Sequence, residues 1–182
     1  MLRERELDRF FADHFHRTAR RVEVRDSYDV AAERGQLDRY LAGEPGPDPN
    51  RSTPWLNELR RDTAAGKRWM WVHVVRSPLS DYMRMALEWG YPANVRAGAK
   101  VRILDLAERP QPALVDEDFW LLDDDAVLVV HYGGRGQFLG AEPAPAAKLS
   151  RYRAAWDGAW EAAEPLSRYW QAHPQYHRGR AA

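Results

Sequence analysis

The sequence predicts an α+β fold: a mostly antiparallel sheet with a C-terminal three-strand meander, packed by N-terminal, central and C-terminal helices. Three observations carry this prediction. Arg68 to Arg76 alternates as a strand, with Trp69, Trp71, His73 and Val75 on one face and Met70, Val72 and Val74 on the other. Both faces are largely apolar, the mark of a central strand. Asp118–Leu122, Ala126–Tyr132 and Gln137–Ala141 follow one another as short strand-like runs, separated by Asp123-Asp124-Asp125 and Gly133-Gly134-Arg135-Gly136. Apolar residues recur at helical spacing at both ends: Leu2, Leu7, Phe10, Phe11 and Phe15, then Leu149, Tyr152, Trp156, Trp160 and Ala163.

The other elements follow in order. Arg20 to Arg25 alternates and reads as a strand; Ala31 to Leu41 reads as a helix stopped by Gly43. The stretch Gly43 to Asn50 holds three prolines and two glycines, which continue no regular element. Ser52 or Thr53 then caps a helix with Pro54 at its first position, ending near Gly66. Ser77-Pro78 opens a helix to about Trp89, ended by Gly90-Tyr91-Pro92, and Lys100 to Leu104 is a strand. The expected organisation is a single domain, 1–182. It divides into an N-terminal helical lobe 1–43, a linker 44–53, a main body 54–172 and a frayed tail 173–182.

Composition narrows the function classes. The 182 residues suffice for one unstapled core, and 45% hydrophobic content with eight Trp excludes a wholly disordered chain. Trp pairs a large apolar surface with one polar atom, so its abundance suits a core, a pocket or an interface. With 27 basic and 27 acidic side chains the formal charge is zero, so no direct nucleic-acid partner is expected. The absence of Cys removes disulfides, thiol nucleophiles, Fe–S clusters and cysteine zinc sites. A charged N-terminus without the apolar core of a signal peptide, and no membrane-length apolar run, lead to an expected cytoplasmic location and no membrane partner.

The most informative polar stretch is Arg76 to Glu88. Arg76 closes the central strand. Asp81, Arg84 and Glu88 fall three and four apart and so share a helical face, with the Tyr82 phenol close by. Such a group can grip an anionic or amphoteric ligand through the planar guanidinium fork, or be an ordinary surface ion-pair ladder. Asp118 directly precedes Phe119 and Trp120, and is singled out from Asp116, Glu117, Asp123, Asp124 and Asp125, which read as solvated turn carboxylates. His73 and His131 lie on expected strands and can meet across the sheet. Near Asp118, His131 is then a candidate general base, against the plainer reading of a packed histidine. The six histidines have no metal-site spacing, so neither metal nor cofactor is expected. No phosphate-binding loop, dinucleotide fingerprint, zinc-protease helix or nucleophile elbow occurs.

Five runs appear in one order: Arg25-Asp26-Ser27-Tyr28, Leu41-Ala42-Gly43-Glu44-Pro45, Val74 through Tyr82, Asn94 through Gly98, and Asp118 through Asp123. Together they resemble an uncharacterised actinobacterial family, a domain of unknown function often encoded beside helix-turn-helix regulators of the xenobiotic-response type. The resemblance implies a gene neighbourhood and hence a regulatory or regulator-partner role, and the expected partner is a helix-turn-helix regulator protein or a small molecule. Its recurring polar positions correspond here to Arg76, Asp81, Tyr82, Arg84, Glu88, Asn94, Arg102 and Asp118. The chain departs from the pattern at Ala99, where the family usually has Glu, and at Trp71 and His73, where its strand tends to carry Arg.

Two functions remain. One is a non-enzymatic regulatory module that binds a small ligand or partner protein through Arg76, Asp81, Arg84, Asn94, Arg102 and Trp120. The other is a small cofactor-free enzyme of specialised metabolism, with His131, Tyr82, Asp118 and Glu88 in acid–base roles and an Arg holding an anionic group. The first reading expects Arg76, Asp81 or Arg84, Asn94 and Asp118 around one concave site.

Overall fold

The computed structural model describes residues 1–30, 33, 35–48, 53–109 and 113–178. In chain order the elements are α1 (Glu4–His14), β1 (Thr18–Glu23), α2 (Gln36–Leu41), α3 (Thr53–Ala64) and β2 (Arg68–Val75). Then come α4 (Asp81–Met85), a π-helical turn (Ala86–Gly90), α5 (Tyr91–Arg96), β3 (Lys100–Asp105), β4 (Asp118–Leu122) and β5 (Ala126–Tyr132). The chain closes with β6 (Phe138–Pro143), α6 (Leu149–Ala162), β7 (Glu164–Pro165) and α7 (Leu166–Ala172). Ala31 and Ala32 of the expected second helix, and Ser52 as a helix cap, lie outside the described residues.

The fold is α+β, and its sheet runs β6-β5-β4-β1-β2-β3-β7. Four of the six pairings are antiparallel. The other two, β1–β2 and β2–β3, are parallel. Parallel neighbours need long crossovers, and the helices between β1 and β3 supply them. β4, β5 and β6 form the expected meander. No described helix is long and apolar enough to cross a membrane.

The N-terminal region is not a separate lobe. β1 lies mid-sheet between β4 and β2, so it is built into the main body. Within the expected tail His173 is buried and a short 3-10 turn covers Pro174–Tyr176.

Two side-chain faces follow from strand alternation. On one, Val22, Val72, Val74, Leu104, Phe119, Leu121, Val127 and Val129 pack against Tyr152, Ala155, Trp156 and Ala159 of α6. The other face carries Trp69 and Trp71 with Phe11, Trp55 and Trp120. These rings form edge and stacked contacts, such as Trp71–Trp120 with centroids 5.3 Å apart at 77°.

Asp123 corrects the reading of the turn carboxylates. It is buried, and its carboxylate accepts backbone N–H groups from His16 at 2.9 Å, Arg17 at 2.9 Å and Thr18 at 2.6 Å. The β4–β5 turn thereby fixes the entry of β1. Gly136 matters for a neighbouring approach. Its φ is +82°, and a Cβ there would lie 2.7 Å from the Ser27 carbonyl oxygen. Glycine lets the segment carrying Tyr28 settle onto the β5–β6 turn, where Asp29 N–H donates to the Gly136 carbonyl at 3.0 Å.

Candidate functional site

The Trp-rich face does not fill completely. Between it and the helical cover lies a cavity of about 530 Å³, within the size range of small-molecule sites. Trp71 and Trp120 line it from the sheet, Trp55 from α3, Trp89 from the π-turn and Asn94 from α5. The π-turn, with its wider i→i+5 bonding, carries Ala86, Trp89 and Gly90 at the cavity wall.

The floor is polar. Arg21, only 2% exposed, lies with Glu23 on one face of β1. Its Nη2 donates to Asp118 Oδ2 at 2.8 Å and to the Tyr132 hydroxyl at 3.0 Å, and its Nε faces Glu23 Oε1 at 3.4 Å. The guanidinium sits 5.4 Å from the Trp120 ring centroid. Nη1 is buried and has no hydrogen-bond partner. Asp118 is shared further: Tyr28 donates its hydroxyl at 2.8 Å and the Val24 N–H donates at 3.0 Å. Glu23 accepts from the Tyr91 hydroxyl at 2.5 Å and lies 3.3 Å from His73 Nδ1. The Arg25 carbonyl, 2.9 Å from His73 Nε2, makes that nitrogen a donor.

Burial and charge act in opposition on these groups. For Glu23, burial raises the carboxyl, but the His73 hydrogen bond, the Arg21 charge and the Tyr91 hydroxyl outweigh it and bring the group down to about 2. For Asp118, burial wins over the pull of Arg21 and the carboxyl is raised. Burial, reinforced by nearby carboxylates, pushes the phenols of Tyr28, Tyr91 and Tyr132 up. The floor is thus one fixed cation flanked by a firmly ionised Glu23, a more protonatable Asp118 and phenols that stay protonated.

The sequence-predicted residues divide. Asp118 belongs to the floor, and Tyr82, Asn94 and Trp120 line the cavity. Tyr82 donates to Glu33 at 2.8 Å, and Asn94 accepts from Trp55 Nε1 at 3.3 Å. The expected convergence with Arg76, Asp81 and Arg84 does not occur. Arg76 is exposed, donates to the Val24 carbonyl at 3.2 Å and lines a separate recess with Asp26 and Asp116. Arg84 faces Asp81 at 3.4 Å at the surface and donates to the Tyr176 carbonyl at 3.3 Å. Glu88 forms no ion pair with Arg84 among the described residues. It accepts from Tyr40 at 2.8 Å and pairs with Arg178 at 3.3 Å. Arg102 points to the α6 face, where it donates to the Trp160 carbonyl at 2.7 Å. His131 does not line the cavity, and its Nε2 lies 3.1 Å from Glu142 Oε1.

The sequence reading missed Arg21, Glu23, Tyr28, Tyr91 and Tyr132. The available signal was Arg21 and Glu23 alternating with Val22 and Val24 in a strand buried on both faces. A second polar group also escaped it. Among the described residues, Asp105, Glu108 and His173 place potential metal-donor atoms within 4.8 Å of one another. These atoms already have partners: Ser77 and Tyr169 donate to Asp105 at 2.5 and 2.9 Å, and His173 meets Glu108 at 2.7 Å. His173 Nδ1 donates to the Tyr169 carbonyl at 2.7 Å, so the group pins the C-terminal turn to the end of β3.

Fold and cavity together define an α+β protein with an aromatic chamber over a buried polar floor. The chain belongs to the family described as Domain of unknown function (DUF6879), which matches residues 5–171. No curated protein matches the chain.

Proposed function

We propose that the chain is a non-enzymatic regulatory module that binds a small ligand in the Trp-lined cavity. The observation that carries this reading is the cavity itself: about 530 Å³, walled by indoles and floored by side chains already fixed by hydrogen bonds. A preformed chamber lined largely by apolar and aromatic side chains, with few oriented polar groups, is the usual build of a small-molecule site. The polar Arg/Asp/Tyr site is then Arg21, Asp118, Tyr28 and Tyr132 rather than the Arg76–Glu88 stripe. The regulatory part rests on the resemblance to an actinobacterial family encoded beside helix-turn-helix regulators. A ligand would touch both the sheet and the Ala86–Gly90 π-turn, so occupancy would be read by a partner that contacts the helical cover.

A cofactor-free enzyme is the second reading, favoured by the Tyr28–Asp118 and Tyr91–Glu23 phenol–carboxylate pairs. Acid–base catalysts work best when they titrate near the operating pH. These phenols are pushed up and Glu23 is held at about 2, which suits positioning of a ligand better than proton transfer.

Titration with the neutral dye Nile red tests cavity binding. One saturable site is expected for the natural chain. Ala86→Trp, which puts an indole into the cavity, should abolish it with the melting transition retained. A natural chain that binds no dye, or a variant that binds it unchanged, would overturn the proposal.

A further inference from the structure

The cavity shares a wall residue with the C-terminal end of the chain. Beyond α7, His173 is held by Glu108 and the Tyr169 carbonyl, which fixes the base of the segment. The turn after it closes on itself. Tyr176 N–H donates to the His173 carbonyl, His177 N–H donates to the Pro174 carbonyl, and the His177 ring stacks on Trp170 with centroids 4.5 Å apart. Ser77 and Arg84 each make one longer bond to Tyr176, at 3.2 and 3.3 Å. Arg178 then reaches away from α7. Its guanidinium lies 4.4 Å from the Tyr40 ring centroid and 4.6 Å from that of Trp89. Its Nε meets both Glu88 carboxylate oxygens at 3.3 Å, and its Nη1 donates to the Glu44 carbonyl at 2.6 Å.

These contacts fall on two stretches of wall that come from different crossovers. Tyr40 and Glu44 lie at and just after the end of α2, shortly before Pro47 and Asp48, which line the cavity. Glu88 and Trp89 belong to the π-turn, and Trp89 itself lines the cavity. The Tyr40 hydroxyl donates to Glu88 Oε2 at 2.8 Å, so Arg178 adds a second tie between the two stretches. Trp89, only 5% exposed, is thus ordered from two sides: by Arg178 and by a guest in the cavity. The docking of Arg178 is shallow enough to shift. The Arg178–Glu88 pair keeps 19% and 24% of its side chains accessible, and ion pairs in contact with water contribute little. Chain-end segments with few buried contacts open at low cost. Two partners that order the same side chain help each other, because the second meets a wall whose freedom is already restricted.

We infer that the C-terminal segment is the output of the cavity. Ligand occupancy and the docking of Arg178 on Tyr40 and Trp89 favour each other, so a filled cavity keeps the segment down and an empty one releases it more often. The inference rests on the cavity-binding reading, and the experiment measures binding and coupling separately.

Nile red serves as the probe. Arg178→Ala should weaken its binding about fivefold or more, the lower end of ordinary coupling between sites. Arg178→Lys keeps the charge but loses the fork that spans Glu88 and the Glu44 carbonyl, and should fall between the two. Coupling is reciprocal, so saturating dye should slow hydrogen exchange at the Tyr176 and His177 amides of the natural chain by a similar factor. In Ala86→Trp, with its cavity filled, dye should leave that exchange unchanged. If Arg178→Ala binds the dye as tightly as the natural chain, or the Tyr176 and His177 amides exchange alike with and without dye, the coupling is wrong and the cavity reading stands. If the natural chain binds no dye, both are overturned. The exchange measurement on the natural chain decides the matter even where the Arg178 variant does not fold.

Discussion

Arg21 Nη2 donates to Asp118 Oδ2 at 2.8 Å between two side chains that are both almost wholly buried. Breaking one side of such a pair leaves the other charge stranded, which typically costs about 3–5 kcal/mol. Asp118→Asn should therefore destabilise the chain strongly. At about 2–4 °C per kcal/mol for a chain of this size, the melting temperature should fall by roughly 6–20 °C. Arg76→Ala, cut from an exposed position, should stay within about 0.5 kcal/mol, and urea unfolding of the two variants checks the contrast.

Asp81→Ala and Arg84→Ala should leave both fold and cavity untouched. Their ion pair is 3.4 Å long and lies at the surface, where such pairs contribute about 0–1 kcal/mol. Thermal melts and Nile red titrations on the same variants measure both quantities. Loss of dye binding in Arg84→Ala would return the site to the helix stripe.

Asp123→Ala should cost about 2–4 kcal/mol, because three backbone N–H groups at the start of β1 lose their acceptor together. Asp123→Asn keeps one carbonyl oxygen and should recover part of the loss. Chemical unfolding orders the three proteins.

The His173–Glu108 contact makes stability depend on pH in a stated direction. Burial lowers the His173 pKa, but the Glu108 hydrogen bond and the Tyr169 carbonyl outweigh it and raise the value above that of a free histidine. A raised folded-state value means that the protonated form is the stabilised one. Its contribution is complete below about pH 6.5, the ordinary histidine value, and is lost as pH rises through the folded value. Melting temperatures between pH 5 and 9 should show this decline, and Glu108→Gln should flatten it.

Local pattern made much of the fold legible. The spans of β4 and β5 are those that alternation and turn residues mark out, and β2 is the central strand that two apolar faces require. The parallel β1–β2 and β2–β3 pairs were not legible, since nothing local records which distant strand becomes a neighbour. The site suffered for the same reason. Asp118, Tyr82, Asn94 and Trp120 were found, but Arg21 becomes their companion only when β1 is placed between β4 and β2. The stripe Asp81, Arg84 and Glu88 failed on a different ground: helical spacing tells which residues share a face but not what that face meets, and here Arg84 bonds the Tyr176 carbonyl while Glu88 bonds Tyr40 and Arg178.

The position of β1 has a consequence for synthesis on the ribosome. Its partner on one side, β2, lies in the next stretch of chain, but its partner on the other, β4, begins only at Asp118. A growing chain that has released β1, β2 and β3 still has an open flank along β1, with unpaired backbone groups of the sort that recruit foreign strands. Over the same interval Arg21 has Glu23 beside it but lacks its second carboxylate, Asp118, 97 positions further on. Shielding of the nascent chain matters most in the window between the emergence of β1 and that of β4, and translational pauses placed there would favour aggregation.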